Sequence, residues 1–182
     1  MGDNQIVFEV DGRAARRLTE ADIPAIQQCA ERCVDYTLLV EGRGTQPDEG
    51  AQFLLDAPDG WDPNSLHKLG VVGEDGDELV GLLDVVPGYP DADVWYIGLM
   101  VFDPKVRGSG FGARLYAAFE AWAASHGAAR VMLSVVKENE AAHRFWTRIG
   151  FQDVRDVEPR QFGNKLQGRW EMAKAVATTP VA

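Results

Sequence analysis

Three apolar runs in the middle of the chain follow one another with short connections. They cover Leu66 to Val72, Leu79 to Val86 and Val94 to Phe102. The first connection, Gly73-Glu74-Asp75-Gly76-Asp77, has the composition of a hairpin turn, and the second contains Pro87-Gly88-Tyr89-Pro90. Connections this short join strands that run in opposite directions. The pattern therefore predicts an antiparallel three-stranded meander.

Helical periodicity marks the segments on either side of the meander. An apolar stripe recurs every three to four residues from Phe111 to Trp122, which is typical of a helix that packs into the core. A second helix is predicted over Asn139 to Ile149. Upstream, Thr19 is a good N-cap for a helix whose apolar positions run to Val34, and Asp48 to Leu55 predicts a shorter helix.

Four further runs have the length and composition of strands. They are Arg13 to Leu18, Val131 to Val136, Phe151 to Val157 and Leu166 to Met172. With the meander and the helices they give the order β-α-α-β-β-β-α-β-α-β-β. The predicted fold class is α/β, with a mixed, mostly antiparallel sheet of six to seven strands flanked by about four helices. We expect one domain over residues 1–182, with 175–182 as a flexible tail.

Charge and composition exclude several classes of protein. The formal net charge of −10 over 182 residues argues against a nucleic-acid partner, which needs a basic face. No apolar run of about 18 residues and no secretory signal is present, so we expect no membrane partner and a cytoplasmic location. Cys29 and Cys33 are spaced for one helix face but not for an easy disulfide, and no nearby residues complete a metal site. We therefore interpret them as structural thiols.

The segment from Val106 to Gly112, called the glycine loop below, lies between a predicted strand and a predicted helix. Gly108, Gly110 and Gly112 have no Cβ, so the N–H groups around them stay uncovered. The first N–H groups of the following helix have no helical partner and carry partial positive charge. Two interpretations are open at this point: a glycine-rich surface turn, or a binding site for phosphate or pyrophosphate.

The spacing of these glycines excludes two familiar phosphate loops. A dinucleotide-binding loop reads G-x-G-x-x-G directly at a strand end. This loop reads G-x-G-x-G, and Asp103-Pro104-Lys105-Val106 separates it from the strand. A P-loop requires a following Gly-Lys-Ser or Gly-Lys-Thr, which the chain lacks here. The loop therefore does not predict a nicotinamide or nucleoside-triphosphate enzyme.

Four short segments carry a family resemblance. They are Leu99-Met100-Val101-Phe102-Asp103-Pro104, then Arg107-Gly108-Ser109-Gly110-Phe111-Gly112, then Asn139 followed by Ala142, and last Phe145-Trp146-Thr147-Arg148-Ile149-Gly150-Phe151. Each alone is a weak signal. In this order and spacing they resemble the GNAT superfamily of acyl-CoA N-acyltransferases. The resemblance spans Leu66 to Val157, and residues 13–60 fit the two leading helices of that family only loosely.

The resemblance implies acetyl-CoA as the acyl donor. The N–H groups of Gly108 to Gly112 are then expected to hold its pyrophosphate, with added charge from Arg107. In the family the preceding strand splays from its neighbour and frees backbone groups for the pantetheine arm, here those of Met100, Val101 and Phe102. The backbone N–H of Val101 is the implied donor to the oxyanion.

Two residues near the second helix complete the implied cofactor site. Asn139 either only caps that helix or also binds the pantetheine arm, and Phe145 is both core and cofactor wall. No metal is implied. The candidate cofactor-binding residues are Met100, Val101, Phe102, Arg107, Gly108, Ser109, Gly110, Phe111, Gly112, Asn139 and Phe145.

The catalytic residues are less clear, because the chain departs from the best-known pattern of the family. An alkyl ammonium with a pKa near 10 must lose a proton before it attacks. The strand Val94 to Phe102 contains no acid, and Ser134 stands where some N-terminal acetyltransferases have Glu. The candidate bases are Asp84, Asp93, Tyr96 and Glu138. Asp84 stands out because it interrupts an apolar run, where an unpaired carboxylate is costly.

Trp146 occupies the position where the family often has a tyrosine as general acid. An indole N–H donates a hydrogen bond but does not release a proton in water. A thiol with a pKa near 8.5 leaves readily even without an acid. Asp84, Tyr96 and Trp146 are therefore the candidate catalytic residues.

The implied reaction is acetyl transfer to a primary amine of a small molecule, by direct attack through a tetrahedral intermediate. The acceptor pocket is expected around the first helices and the C-terminal strands, with Tyr36, Glu41, Asp48 and Glu49 as acidic and aromatic residues that suit a cation. The alternatives are a protein N-terminal or lysine acetyltransferase and a non-catalytic acyl-CoA sensor. A homodimer is left open.

Overall fold

The computed structural model describes residues 5–74, 76 and 78–176. These residues form one eight-stranded sheet. Its strands are β1 (Ile6–Val10), β2 (Arg13–Arg17), β3 (His67–Val72), β4 (Leu79–Pro87), β5 (Val94–Phe102), β6 (Arg130–Val136), β7 (Gln152–Phe162) and β8 (Lys165–Ala175). They lie in the order β1-β2-β3-β4-β5-β6-β8-β7. Neighbouring strands are antiparallel except for β5 and β6, which are parallel.

Helices cover both faces of the sheet. They are α1 (Ile23–Arg32), α2 (Val34–Glu41), α3 (Glu49–Leu55), α4 (Phe111–Ser125) and α5 (Glu140–Arg148). Leu115 of α4 packs in one core cluster with Leu83, whereas Ile26 of α1 and Phe53 of α3 pack in another with Leu82. Leu82 and Leu83 are successive residues of β4 and point to opposite faces. The centre of the sheet is therefore buried on both sides, as the apolar run of β4 requires, whereas the edge strand β7 is mostly exposed.

The predicted fold class is confirmed, and so is the meander. Strands β3, β4 and β5 pair in sequence, each antiparallel to the next. Strand β6 lies between β5 and β8 inside the sheet, in agreement with its continuous apolar run. The part of the sheet that surrounds the glycine loop is thus as the sequence predicts.

Two counts need correction. The sheet has eight described strands rather than six to seven, because Ile6–Val10 pairs with Arg13–Arg17 through a turn at Asp11 and Gly12, both with positive φ. Five described α-helices are present rather than about four. The first predicted helix is broken at Cys33 (φ −95°, ψ 20°), where α1 ends and α2 begins. Residues of α2, among them Tyr36 and Leu39, line the cavity described below.

The C-terminal strands are longer than predicted. Strand β7 continues five residues past Val157 to Phe162, and β8 runs from Lys165 to Ala175. Val176 is buried, so the chain is still packed at the start of the predicted tail. The rest of that tail, 177–182, lies outside the described residues.

Both cysteines, Cys29 and Cys33, are free and buried, in agreement with their interpretation as structural thiols. Among the described residues no group of three or more His, Cys, Asp or Glu side chains is placed to hold a metal ion. No helix in the described part of the chain combines the length and apolar character needed to cross a membrane.

Candidate active site

The glycine loop leaves a row of free backbone donors at the start of α4. Gly108 and Gly110 both have φ of +77°, a conformation that glycine adopts without strain. Gly110 is the N-cap residue of α4. Over the described ranges, the five N–H groups from Gly108 to Gly112 donate no hydrogen bond within the protein. The loop therefore has the geometry of an anion-binding helix terminus rather than of an ordinary turn.

Strands β5 and β6 part directly beside this loop. Their pairing runs from Val94 opposite Arg130 to Ile97 opposite Leu133 and then stops, although both strands continue. A bulge at Gly98 in the pairing of β4 with β5 accompanies the separation. The result is an opening inside the sheet, with unpaired backbone groups along one side of β5.

The register shows which groups of β5 face this opening. Asp103 donates its N–H to the Val80 carbonyl oxygen (2.9 Å), and Val101 lies opposite Leu82 in the same register. Because the N–H groups of successive strand residues point to opposite sides, Val101 faces β4 and Met100 faces the opening.

The Phe102 carbonyl is also turned away from β4, since it accepts a hydrogen bond from Arg107 Nε at 2.7 Å. The implied oxyanion role of Val101 therefore needs correction. The N–H directed to the opening is that of Met100, one residue earlier.

A cavity of about 510 Å³, the donor cleft, joins the glycine loop to this opening. It brings together most of the residues predicted for the cofactor site. They are Met100, Val101, Phe102, Arg107, Gly108, Gly110, Gly112, Asn139 and Phe145, together with Trp146. Two predicted residues do not line it with their side chains. The Ser109 hydroxyl donates to the Val106 carbonyl oxygen (3.0 Å), and the Phe111 ring is buried in the core.

Arg107 is not free to act as a charge for a phosphate. Its guanidinium pairs with Asp35 of α2, and its Nε binds the Phe102 carbonyl oxygen. The side chain thus ties the loop to both α2 and the end of β5. Sequence reasoning missed Asp35, because an acid on the exposed side of a helix is ordinarily solvated.

Asn139 is the N-cap of α5. Its Oδ1 accepts the N–H of Ala142 at 3.1 Å, and the residue lines the donor cleft. The cap uses Oδ1 of Asn139, so the N–H donors of Nδ2 are left for a ligand. Phe145, beside it in the wall, lies 3.5 Å from the position that a Cβ on Gly112 would take. A Cβ on Gly112 would thus make an ordinary contact with Phe145 and a tighter one, 3.3 Å, with the ring of Phe102.

Trp146 belongs to the core as much as to the cleft. It is 7% exposed, and its ring packs edge-to-face on Tyr116 (5.6 Å between centres) and Phe151 (5.1 Å). The indole is therefore held as a rigid wall. Its position supports the conclusion from its chemistry that it is not the source of a proton.

Asp84 lies against the bulge in β5. A Cβ on Gly98 would stand only 3.0 Å from Asp84 Oδ2, so a larger residue there would cover the carboxylate. Asp84 Oδ1 is 2.9 Å from Nζ of the buried Lys68, which also donates to the Asp56 carbonyl oxygen at 2.6 Å. Burial raises the pKa of Asp84, and the Lys68 ammonium opposes that rise.

The other candidate bases are placed less favourably. Burial raises the pKa of Tyr96 to about 12, which makes its phenol a proton donor rather than a base near neutral pH. Asp93 is exposed directly before β5 and does not line the donor cleft. Glu138 is exposed and pairs with Lys165 at 2.6 Å. Asp84, beside the bulge at Gly98, is thus the best placed of these candidate bases.

A second cavity of about 360 Å³, the acceptor pocket, lies on the α1–α3 side of the opening. Four acids border it, namely Glu41, Glu49, Asp56 and Asp84, and the aromatic residues there are Tyr36, Phe53 and Phe162. Asp48, also predicted here, does not line the pocket; it accepts a hydrogen bond from Gln52 at 3.2 Å. Tyr36 lines both this pocket and the donor cleft, so the two spaces meet at its ring.

Comparison with known proteins agrees with this geometry. Residues 38–151 match the model of the acetyltransferase (GNAT) family. Similar folds include the acetyltransferase from Thermus thermophilus (22% identity, 90% of this chain and 96% of that chain, TM-score 0.69). They also include the ribosomal-protein-S18-alanine N-acetyltransferase from Escherichia coli (14%, 93% and 97%, 0.65). A third is the spermidine N-acetyltransferase from Vibrio cholerae in complex with CoA and spermine (16%, 90% and 95%, 0.68).

At these identities the structural likeness concerns the fold. No curated protein matches the chain. The family model covers more than half of the sequence and includes β5, the glycine loop and α5. The chain belongs to the GNAT family of acetyltransferases.

Proposed function

We propose that the protein transfers an acetyl group from acetyl-CoA to the primary amine of a small molecule. The observation that carries this proposal is the row of five free N–H groups at Gly108 to Gly112 beside the opening between β5 and β6. A pyrophosphate accepts hydrogen bonds from such a row. A pantetheine arm has amide groups that pair with a strand edge, and the unpaired side of β5 supplies that edge. The residues present therefore fit this co-substrate.

When bound, acetyl-CoA supplies an acyl group activated as a thioester. The chain's own contribution is to position this group. The glycine loop would hold the phosphates, and the Met100 N–H, which points into the opening, would donate to the thioester carbonyl. A backbone donor in that place stabilises negative charge that develops on the carbonyl oxygen. The donor is fixed before the reaction by the pairing of β4 with β5.

Asp84 is the proposed general base. It accepts a proton from the ammonium of the acceptor, and the neutral amine so formed attacks the thioester. Asp84 is suited to this role because it is the carboxylate next to Gly98, two residues before Met100. Its raised pKa brings its basicity closer to that of the amine than an exposed aspartate would. Lys68 keeps the carboxylate ionised in a buried place.

The departing thiolate needs at most a weak acid. Burial raises the pKa of Tyr36 to about 12, so its phenol keeps its proton at neutral pH. Tyr36 lies where the donor cleft meets the acceptor pocket. We assign it as the hydrogen-bond donor to the thiolate, a role that the Trp146 position does not fill in this chain. A thiol of pKa near 8.5 makes this a minor contribution to rate.

The small size of the acceptor pocket, about 360 Å³, favours a small molecule over a folded protein as the acceptor. The acids around it favour a cationic amine. A cytoplasmic location and a homodimer stay predictions.

A panel of amines tests the proposed reaction directly. Free thiol released from acetyl-CoA is measured with small amines, amino acids and peptides as acceptors. We expect release with at least one small amine and slower release with peptides. Silence across the panel, together with a rise in melting temperature on adding acetyl-CoA, would indicate a sensor instead.

Two substitutions of Asn139 separate its role as a cap from its role in binding. Asn139→Asp keeps the oxygen that accepts from Ala142 but removes the Nδ2 donors, whereas Asn139→Ala removes both. We expect Asn139→Asp to keep the free energy of unfolding within about 0.5 kcal/mol and Asn139→Ala to lose about 1 kcal/mol. Both should weaken acetyl-CoA binding about tenfold, as the loss of one hydrogen bond implies. Calorimetric titration measures this; unchanged affinity in Asn139→Asp would leave the residue as a cap only.

A further inference from the structure

Two arginines on the C-terminal hairpin lie side by side without acidic partners. Arg160 of β7 is opposite Gln167, which is two residues before Arg169 on β8, so both arginines project from the same face of the hairpin. Their guanidinium carbons lie 4.5 Å and 5.4 Å from the centre of the Phe162 ring. Within the described part of the chain, neither forms a salt bridge.

The guanidinium of Arg169 has an unfavourable environment in the protein without a bound ligand. Its Nε is buried and has no hydrogen-bond partner among the described residues. Burial lowers the pKa of Arg169, and the neighbouring Arg160 lowers it further. The acid two residues along the same strand, Glu171, is held by Arg155 at 3.0 and 3.2 Å. Two repelling cations, one with an unsatisfied donor, are expected to attract an anion.

Both arginines border a third cavity, the gap cavity, of about 300 Å³ in the opening between β5 and β6. Tyr96 and Ser134 add hydroxyl groups to its wall. Arg160 and Phe162 also line the acceptor pocket, so the two cavities share a wall. A molecule in the acceptor pocket can therefore reach the arginines with one end and Met100, which lines the gap cavity, with the other.

We propose that the acceptor amine also carries an anionic group, a carboxylate or a phosphate, and that Arg160 and Arg169 bind it. This inference rests on the proposed acetyl transfer and names its substrate class: amino acids and related amines with an acidic group. A guanidinium fork matches the two oxygens of such a group. Asp84 then faces the amine end of the same molecule, so the pocket is basic at one end and acidic at the other.

Matched acceptor pairs test this inference. Each pair differs only in the anionic group: alanine and ethylamine, phenylalanine and phenethylamine, and O-phosphoethanolamine and ethanolamine. For the preferred pair we expect the anionic member to have a kcat/KM at least about tenfold higher. In Arg169→Met, which keeps an unbranched apolar stem and removes the guanidinium, the preference should disappear mainly through KM. The control is Arg130→Met, which removes the same charge from an exposed position of β6 outside the three cavities and should keep the preference.

A binding measurement distinguishes failure of this inference from failure of the proposed function. Melting temperatures are recorded with the same six compounds in the presence of CoA. A rise with the anionic compounds that Arg169→Met loses supports the anion site even if no acetyl is transferred. If the amines without the anionic group are acetylated with a kcat/KM equal to or higher than that of their anionic partners, the proposed function stands and the anion site is overturned. If no compound is acetylated and none shifts the melting temperature, both the anion site and the proposed function are overturned.

Discussion

Replacing Gly110 with aspartate is expected to remove measurable binding of acetyl-CoA. Gly110 has φ of +77° and stands at the N-cap of α4, in the middle of the five free N–H groups. An aspartate there places a negative charge where the pyrophosphate is expected and a side chain 3.0 Å from Arg114. We expect the affinity to fall at least about 100-fold, equivalent to roughly 2.7 kcal/mol. The rise in melting temperature on adding acetyl-CoA measures it.

The control for this variant is Gly127→Asp. Gly127 follows the other end of α4, has φ of +91°, and has no neighbouring atom within 4 Å of a Cβ. The substitution therefore adds the same charge and a similar backbone strain of about 1 kcal/mol. It should lower the melting temperature of the free protein and keep the shift with acetyl-CoA. If Gly110→Asp also keeps the shift, the phosphates are bound elsewhere.

Replacing Asp84 with asparagine is expected to give the largest loss of turnover. Loss of a general base should lower kcat about 10²- to 10⁴-fold, with a smaller change in acetyl-CoA affinity. In the unmodified protein, activity falls as the pH drops through the pKa of Asp84, because the carboxylate must be ionised to take a proton. That pKa is raised, so the acid limb of the rate profile should lie above the ordinary aspartate value of about 4. In the variant the residual rate should instead climb about tenfold per pH unit with the fraction of free amine.

The variant alone leaves Lys68 as a buried charge without its partner, which costs stability of about 3–5 kcal/mol. A double variant, Asp84→Asn with Lys68→Met, removes that charge and should fold while staying inactive. Asp93→Asn, an exposed aspartate outside the three cavities, is the matched control and should keep kcat. Normal turnover in the double variant would refute the role of Asp84 as base.

The central part of the fold could be predicted from sequence because its signals are local. The three runs of the meander are continuous and separated by turn residues, and the stripe of α4 has an unambiguous helical period. The hairpin of β1 and β2 was missed although its Asp11-Gly12 turn is a recognisable signal. The break at Cys33 has no glycine or proline to mark it, so it could not be predicted from local sequence.

The donor side of the site could be predicted from local sequence, whereas most of the acceptor side could not. Glycine spacing and one strand–loop–helix unit supply much of the donor cleft between Met100 and Gly112, and α5 and α2 complete it. The acceptor pocket is built from α1, α2, α3 and the C-terminal hairpin, which only tertiary contacts bring together. Arg160 and Phe162 were missed because they lie beyond the predicted strand end at Val157, where Pro159 and its polar neighbours weaken the strand pattern.

The direction of the Val101 N–H was likewise beyond the sequence. A shift of one residue in register exchanges the two sides of a strand, so Met100 and Val101 cannot be told apart by their side chains. The hydrogen bond between Asp103 and Val80 settles the register, and it joins residues that are close only in the folded sheet.

Recognition by backbone atoms has a consequence for how this fold diverges. In the proposed function, the opening after Ile97 and the free N–H groups of the glycine loop would contact acetyl-CoA through backbone atoms. Side chains around them can be exchanged without loss of the donor site, provided that the glycines and the bulge remain. Proteins that share only 14–22% of their residues with this chain have a similar fold. The same sheet is free to acquire new acceptors by changing only the residues on its helices and its C-terminal hairpin.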